Sequence, residues 1–191
     1  MISKAEIIRR HLAGKSVLDL GGAGYGETNA YERELAAAWS ACRRRVRLDR
    51  APSADIVADL DARPLPRLEE AFEVAAAFDV LEHLKQPVEV LRWIPCARLI
   101  VTLPNALSWA ARRMEERQRF RHLYSFTAYT ATVLMEEGGW RVTRREYQFG
   151  TWSLRARVLN RIGSLAPSRA GTGIVLYCER SAAAPRRTDA G

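Results

Sequence analysis

The chain has 191 residues, 48% hydrophobic and 27% charged, a balance that excludes a disordered polymer and suits one packed core. Its net charge of +8 comes almost wholly from arginine, since lysine occurs only at positions 4, 15 and 85; planar guanidinium groups fit an anionic substrate or a nucleic acid, or simply a solvated surface. No apolar run nears the roughly 20 residues of a membrane span, the stretch MISKAEIIRRHLAGK lacks the apolar core of a secretory signal, and Cys42, Cys96 and Cys178 lack metal-ligand spacing, so free thiols in the cytoplasm are expected.

In chain order, residues 3–12 place Ile7, Ile8 and Leu12 at helical spacing, with Ser3 and Glu6 as a capping box and Gly14 as the stop. Residues 16–20 form an apolar run that opens into glycines, which predicts a buried strand and a turn. A helix is predicted over 28–41, then short strands over 46–49 and 56–58. A fourth strand over 72–78 (FEVAAAF) runs into LEHL, read as a helix start, and 88–94 is helical. LIVTL at 99–103 is the fifth strand, stopped by Pro104. A helix over 127–137 ends at Gly138 and Gly139, and strands follow over 140–147 and 173–179. The tail from 181, without periodicity, is expected to be disordered. Strand and helix alternate through the first five strands without a repeat or linker. That predicts an α/β fold, a parallel sheet covered on both faces, in one domain over residues 1–180.

The first strand, VLDL, opens into GGAGYGE. Gly22, Gly24 and Gly26 alternate with Ala23 and Tyr25, and glycines there let the backbone approach a bound nucleoside or amino-acid group. A dinucleotide site asks for G-x-G-x-x-G, but the third required position holds Glu27, which argues against a nicotinamide dinucleotide. Asp49 closes the second strand, where a carboxylate can accept both ribose hydroxyls of an adenosine. Asp59 follows the third strand, where it can accept from an adenine amino group while Leu60 covers the ring.

VLDLGGAGYG, VRLD, ADL, FEVAAAFDVLEHL and IVTLPN, with the later HLYSFTAYTATVLMEEGGWRV, resemble in order and spacing the class I S-adenosylmethionine-dependent methyltransferases, near the ubiquinone-biosynthesis O-methyltransferase group. The resemblance covers roughly residues 5–147 and the last strand. It implies a Rossmann-like, seven-stranded, mostly parallel sheet with an antiparallel last strand. It implies S-adenosylmethionine as cofactor and in-line methyl transfer to an O, N or C nucleophile. Such transfer needs mainly alignment and exclusion of water, and no metal is implied.

By the same resemblance, Asp19, Gly21, Gly22 and Gly24 hold the methionyl end and Asp49 the ribose, with Arg50 beside the adenine and Asp59 and Leu60 at its edge. Backbone carbonyls at Ala77 and Phe78 receive the methionyl ammonium. The family's glycines would fall at 21, 23 and 25; Ala23 and Tyr25 stand there instead, so the run is offset and the loop is inserted into or deformed. Glu73 replaces the family's Asp in the fourth-strand motif.

His83, just past the fourth strand, lies near the expected methyl-transfer centre and is a general-base candidate, or else it only orders the turn. His122 is the second candidate, and His11 is read as a surface residue. Segments 104–124 and 148–172 are expected as substrate-side caps beyond the carboxyl ends of the strands. Their aromatics and arginines (Trp109, Arg112, Arg113, Arg119, Arg121 and Tyr124, then Phe149, Trp152, Arg155 and Arg157) suit an anionic or aromatic acceptor. Leu154, Val158, Ile162 and Leu165 make an apolar stripe that packs on the core or faces a partner subunit or membrane surface. Two alternatives stand beside the small-molecule reading: an RNA-directed methyltransferase and a non-catalytic binding protein on the same fold.

Overall fold

Helix α1 (Lys4–His11) begins where Ser3 accepts a hydrogen bond from the Glu6 N–H at 3.2 Å, the expected cap. The computed structural model to which it belongs describes residues 2–24, 29–108, 122–148 and 166–182. Tyr25, Gly26 and Glu27, the cap residues between 109 and 121 and between 149 and 165, and the tail from 183 lie outside the described residues.

Strand β1 (Ser16–Leu20) is buried along its whole length and pairs in parallel with β2 (Arg44–Asp49) on one side and β4 (Val74–Phe78) on the other. β3 (Ile56–Val57) extends the β2 edge, and β5 (Arg98–Pro104) lies beyond β4. β7 (Gly173–Arg180) runs antiparallel between β5 and β6 (Trp140–Gln148), giving the order β3-β2-β1-β4-β5-β7-β6. The α/β, seven-stranded, mostly parallel sheet with an antiparallel last strand is therefore present.

Alternating side chains assign the two layers. Val17, Val74, Ala76, Phe78 and Ile100 pack with Ile7 and Ile8 of α1 and with Leu35 and Trp39 of α2 (Ala30–Trp39). Leu18, Leu20, Ala75, Ala77, Leu99 and Val101 pack with Val90 and Leu91 of α3 (Pro87–Trp93) and with Ala131 and Met135 of α4 (Ala128–Glu137). Trp140 is fully buried in that second layer, its indole N–H donating to the Leu91 carbonyl at 2.9 Å.

Three readings need correction. LEHL does not open a helix: Leu81–His83 is a single 3-10 turn, and Leu84 returns to extended backbone. Pro87 disfavours helical backbone at Gln86, so α3 has to start afresh. His11 is half-buried, its ring meeting that of Tyr177 at 4.6 Å and a tilt of 56°, and burial lowers its pKa. Leu60 is buried in the larger core cluster instead of standing open to cover a ring. No helix among the described residues is long and apolar enough to cross a membrane.

Candidate functional site

The turn after β1 lies between the ends of β2 and β4, at the point where the strand order reverses, which is where open α/β sheets bind ligands. Gly21 has φ 71°, donates its N–H to Leu48 O at 2.8 Å, and would bring a Cβ to 2.5 Å from Val80 Cγ2. Glycine is needed there for both conformation and space. Gly22–Gly24 then forms a 3-10 turn. A Cβ on Gly22 would overlap the Asp19 carboxylate.

Asp19 does not stand open in this turn. It is 1% exposed, on the β1 face that meets α1 and α2, and Arg45 holds it through Nε at 2.8 Å and Nη2 at 2.5 Å. The same guanidinium donates to Gly22 O at 3.1 Å and stacks on the Trp39 ring at 4.2 Å. Burial pushes the Asp19 carboxyl up to about 6, against the opposing pull of Arg45. Asp19 therefore shapes the turn from beneath.

Asp49 ends β2 against the same turn. Its carboxylate accepts from the Ala23 N–H at 3.2 Å and the Ala51 N–H at 3.0 Å, one bond to each oxygen. A carboxylate has about four acceptor positions, so capacity remains for a ligand. Arg50 and Asp59 are exposed, and Asp59 accepts from the Asp61 N–H at 2.9 Å. Ala77 and Phe78 are buried at the end of β4, Phe78 against Trp39 at 5.8 Å.

Immediately after β4, Asp79 adopts φ 55°, rare for a residue with a Cβ. Its carboxylate receives the Lys4 ammonium at 2.6 Å and the Thr102 hydroxyl at 2.7 Å. Burial works against the charge, but Lys4 and Thr102 outweigh it and hold the pKa below its usual range. Lys4 is 4% exposed, so this link ties α1 to the exit of β4.

The following turn presents Glu82 and His83. Glu82 is 0% exposed, and neither carboxylate oxygen has a hydrogen-bond partner among the described residues. Burial first, and the Asp79 charge second, push its pKa up to about 8. His122 lies beyond β5 in the chain: its ring and that of His83 meet edge-on at 4.8 Å and 66°. The two base candidates, remote in sequence, thus form one pair. Beyond them a groove of about 510 Å³ is lined by Lys85, Gln86, Pro87, Tyr124 and Phe126, among others.

Sequence reasoning missed Lys4, Arg45, Asp79 and Glu82. For Glu82 a signal existed, an acid directly beside a candidate histidine; for Lys4 there was none. Conversely, Asn105 of the P-N motif is 1% exposed and structural, its amide donating to Ser168 O at 2.9 Å and Gly171 O at 2.8 Å.

No family model matches the chain, and no curated protein matches it. Solved structures do. A SAM-dependent methyltransferase from Archaeoglobus fulgidus superposes with TM-score 0.62 at 18% identity, over 93% of this chain and 92% of that one. A SAM-dependent methyltransferase from Thermotoga maritima gives TM-score 0.60 at 14% identity, over 93% and 87%. The [4+2]-cyclase SpnF gives TM-score 0.57 at 14% identity, over 94% and 81%. The chain has the class I methyltransferase fold.

Proposed function

We propose that the chain is a cytoplasmic S-adenosylmethionine-dependent methyltransferase acting on a small acceptor. The observation that carries this reading is Asp49. A strand-end carboxylate, clasped to the turn after β1 and retaining acceptor capacity, is what a ribose requires at a switch point. The turn is compatible with the cofactor as well, because glycine at 21 and 22 lets its backbone pack closely over Val80 and Asp19.

When bound, S-adenosylmethionine supplies an electrophilic methyl group on a sulfonium. The chain's own residues bind and orient it. Asp49 accepts from the ribose hydroxyls, Asp59 from the adenine amino group, and Arg50 flanks the ring. Gly21, Gly22 and Gly24 admit the methionyl end, and the Ala77 and Phe78 carbonyls receive its ammonium. Asp19 acts at one remove, by holding Arg45 and the turn. His83 and His122 stand at the acceptor side, where either can take a proton from the nucleophile. The groove beside Tyr124 and Phe126 suits a small or aromatic molecule.

The test is isothermal titration of the wild type and Asp49→Ala with S-adenosylmethionine, S-adenosylhomocysteine and NAD. The expected result is binding of the first two, weakened roughly tenfold or more in the variant, about 1.4 kcal/mol, and no binding of NAD. Absence of any binding by the wild type would overturn the reading in favour of a non-catalytic binding protein.

A further inference from the structure

The turn Leu81–His83 sets Glu82 and His83 side by side, and the segment carrying His122 is pinned onto it. The Leu123 N–H donates to Glu82 O at 2.7 Å, and the Tyr124 hydroxyl donates to Lys85 O at 3.0 Å. These bonds hold His122 over the turn independently of any ligand. One donor atom from each of Glu82, His83 and His122 lies within 4.8 Å of the others. Metal–nitrogen and metal–oxygen bonds of about 2.0–2.2 Å bring ligand atoms to roughly 3–4 Å from one another, a closure that small side-chain rotations supply.

Glu82 gives the second, independent pointer. A fully buried carboxylate without a hydrogen-bond partner among the described residues is costly unless something cationic or a proton meets it. We propose that Glu82, His83 and His122 form a binding site for a first-row divalent cation at the acceptor side of the sheet. Two imidazoles and one carboxylate favour zinc, manganese or iron over calcium, which prefers all-oxygen ligands. Three protein ligands leave coordination positions open, and there the ion takes an oxygen of the acceptor and lowers its pKa; in this state His83 and His122 act as ligands in place of the proton-accepting role. The acceptor class is then a hydroxyl compound, a refinement that rests on the methyltransferase reading. The ion site itself does not.

The experiment uses the full chain, stripped with chelator and titrated with Mn²⁺ or Zn²⁺ alone, without cofactor. Calorimetry is expected to show one saturable site. Glu82→Gln and His83→Ala should each weaken it by roughly tenfold or more. Co²⁺ loading of the wild type should give a visible spectrum of a histidine-ligated ion, a readout that needs no variant to fold. Chelator-treated variants are checked by thermal melting, and one that fails to fold is replaced by His122→Asn. No saturable site in the wild type, or unchanged affinity in folded variants, overturns the proposal. Cofactor binding without metal binding sinks the ion site alone; metal binding without cofactor binding sinks the methyltransferase reading alone.

Discussion

A single hydrogen atom at position 22 keeps the turn after β1 in place. A methyl group there would overlap the Asp19 carboxylate, which Arg45 holds from the other side. Gly22→Ala must therefore displace either the carboxylate or the turn. Overpacking a filled site costs about 1–3 kcal/mol, and the backbone of the turn moves with it. Thermal melts should show a lowered Tm, and titration should show cofactor binding weakened roughly tenfold or more. A stable variant with wild-type affinity would show that this turn is not the binding surface. The glycines were readable as a motif, but their partner was not. In RRVRLD, Arg45 looks like any outward residue of an edge strand. Only the β1–β2 register, Val17 opposite Arg45 and Asp19 opposite Arg47, puts its side chain on the face where Asp19 is buried.

Among the elements, each strand was placed to within two residues; β1, β4 and β5 stood out as apolar runs because buried parallel strands are continuously hydrophobic. β2 was read short at its start since Arg44 and Arg45 are polar, although they pair with Ser16 and Val17. The 3-10 turn of Leu81–His83 was misread because its next restraint, Pro87, lies beyond the LEHL motif. Helix α4 was legible from its glycine stop, whereas its N-terminal cap emerges only in the structure. Thr127 accepts from the Thr130 N–H at 3.1 Å, and the Thr130 hydroxyl accepts from the Thr127 N–H at 2.9 Å. Thr127→Ala removes the first of these bonds and should cost about 1 kcal/mol. Urea unfolding would show it as a lower midpoint with an unchanged slope. Cofactor affinity should stay at the wild-type value, since α4 packs on α3 and β6 away from the turn after β1. A parallel loss of affinity would place α4 in contact with the site.

For the whole molecule, strand alternation announced the sheet, but the connections that close it depend on distant pairs. Lys4 and Asp79, 75 residues apart, join α1 to the end of β4, and nothing local marks either residue. Asp19 has the same global character: it lies on β1, flanked by β2 and β4 and covered by the α1–α2 layer, so water reaches it only when the fold opens. This makes its titration a property of overall stability. The folded carboxyl titrates at about 6, against 3.8 when unburied. Between those values the folded chain keeps a proton that the unfolded chain has released, so stability falls as pH rises. The contribution is fully present below about pH 4 and lost above about pH 6. At roughly 1.4 kcal/mol for each pKa unit, the gap amounts to roughly 3 kcal/mol. Urea unfolding of the wild type and Asp19→Asn across this window measures it. The wild type should lose about that much relative to the variant as pH rises from about 4 to about 6. Parallel curves would mean that Asp19 is ionised throughout and that its pairing with Arg45 outweighs its burial.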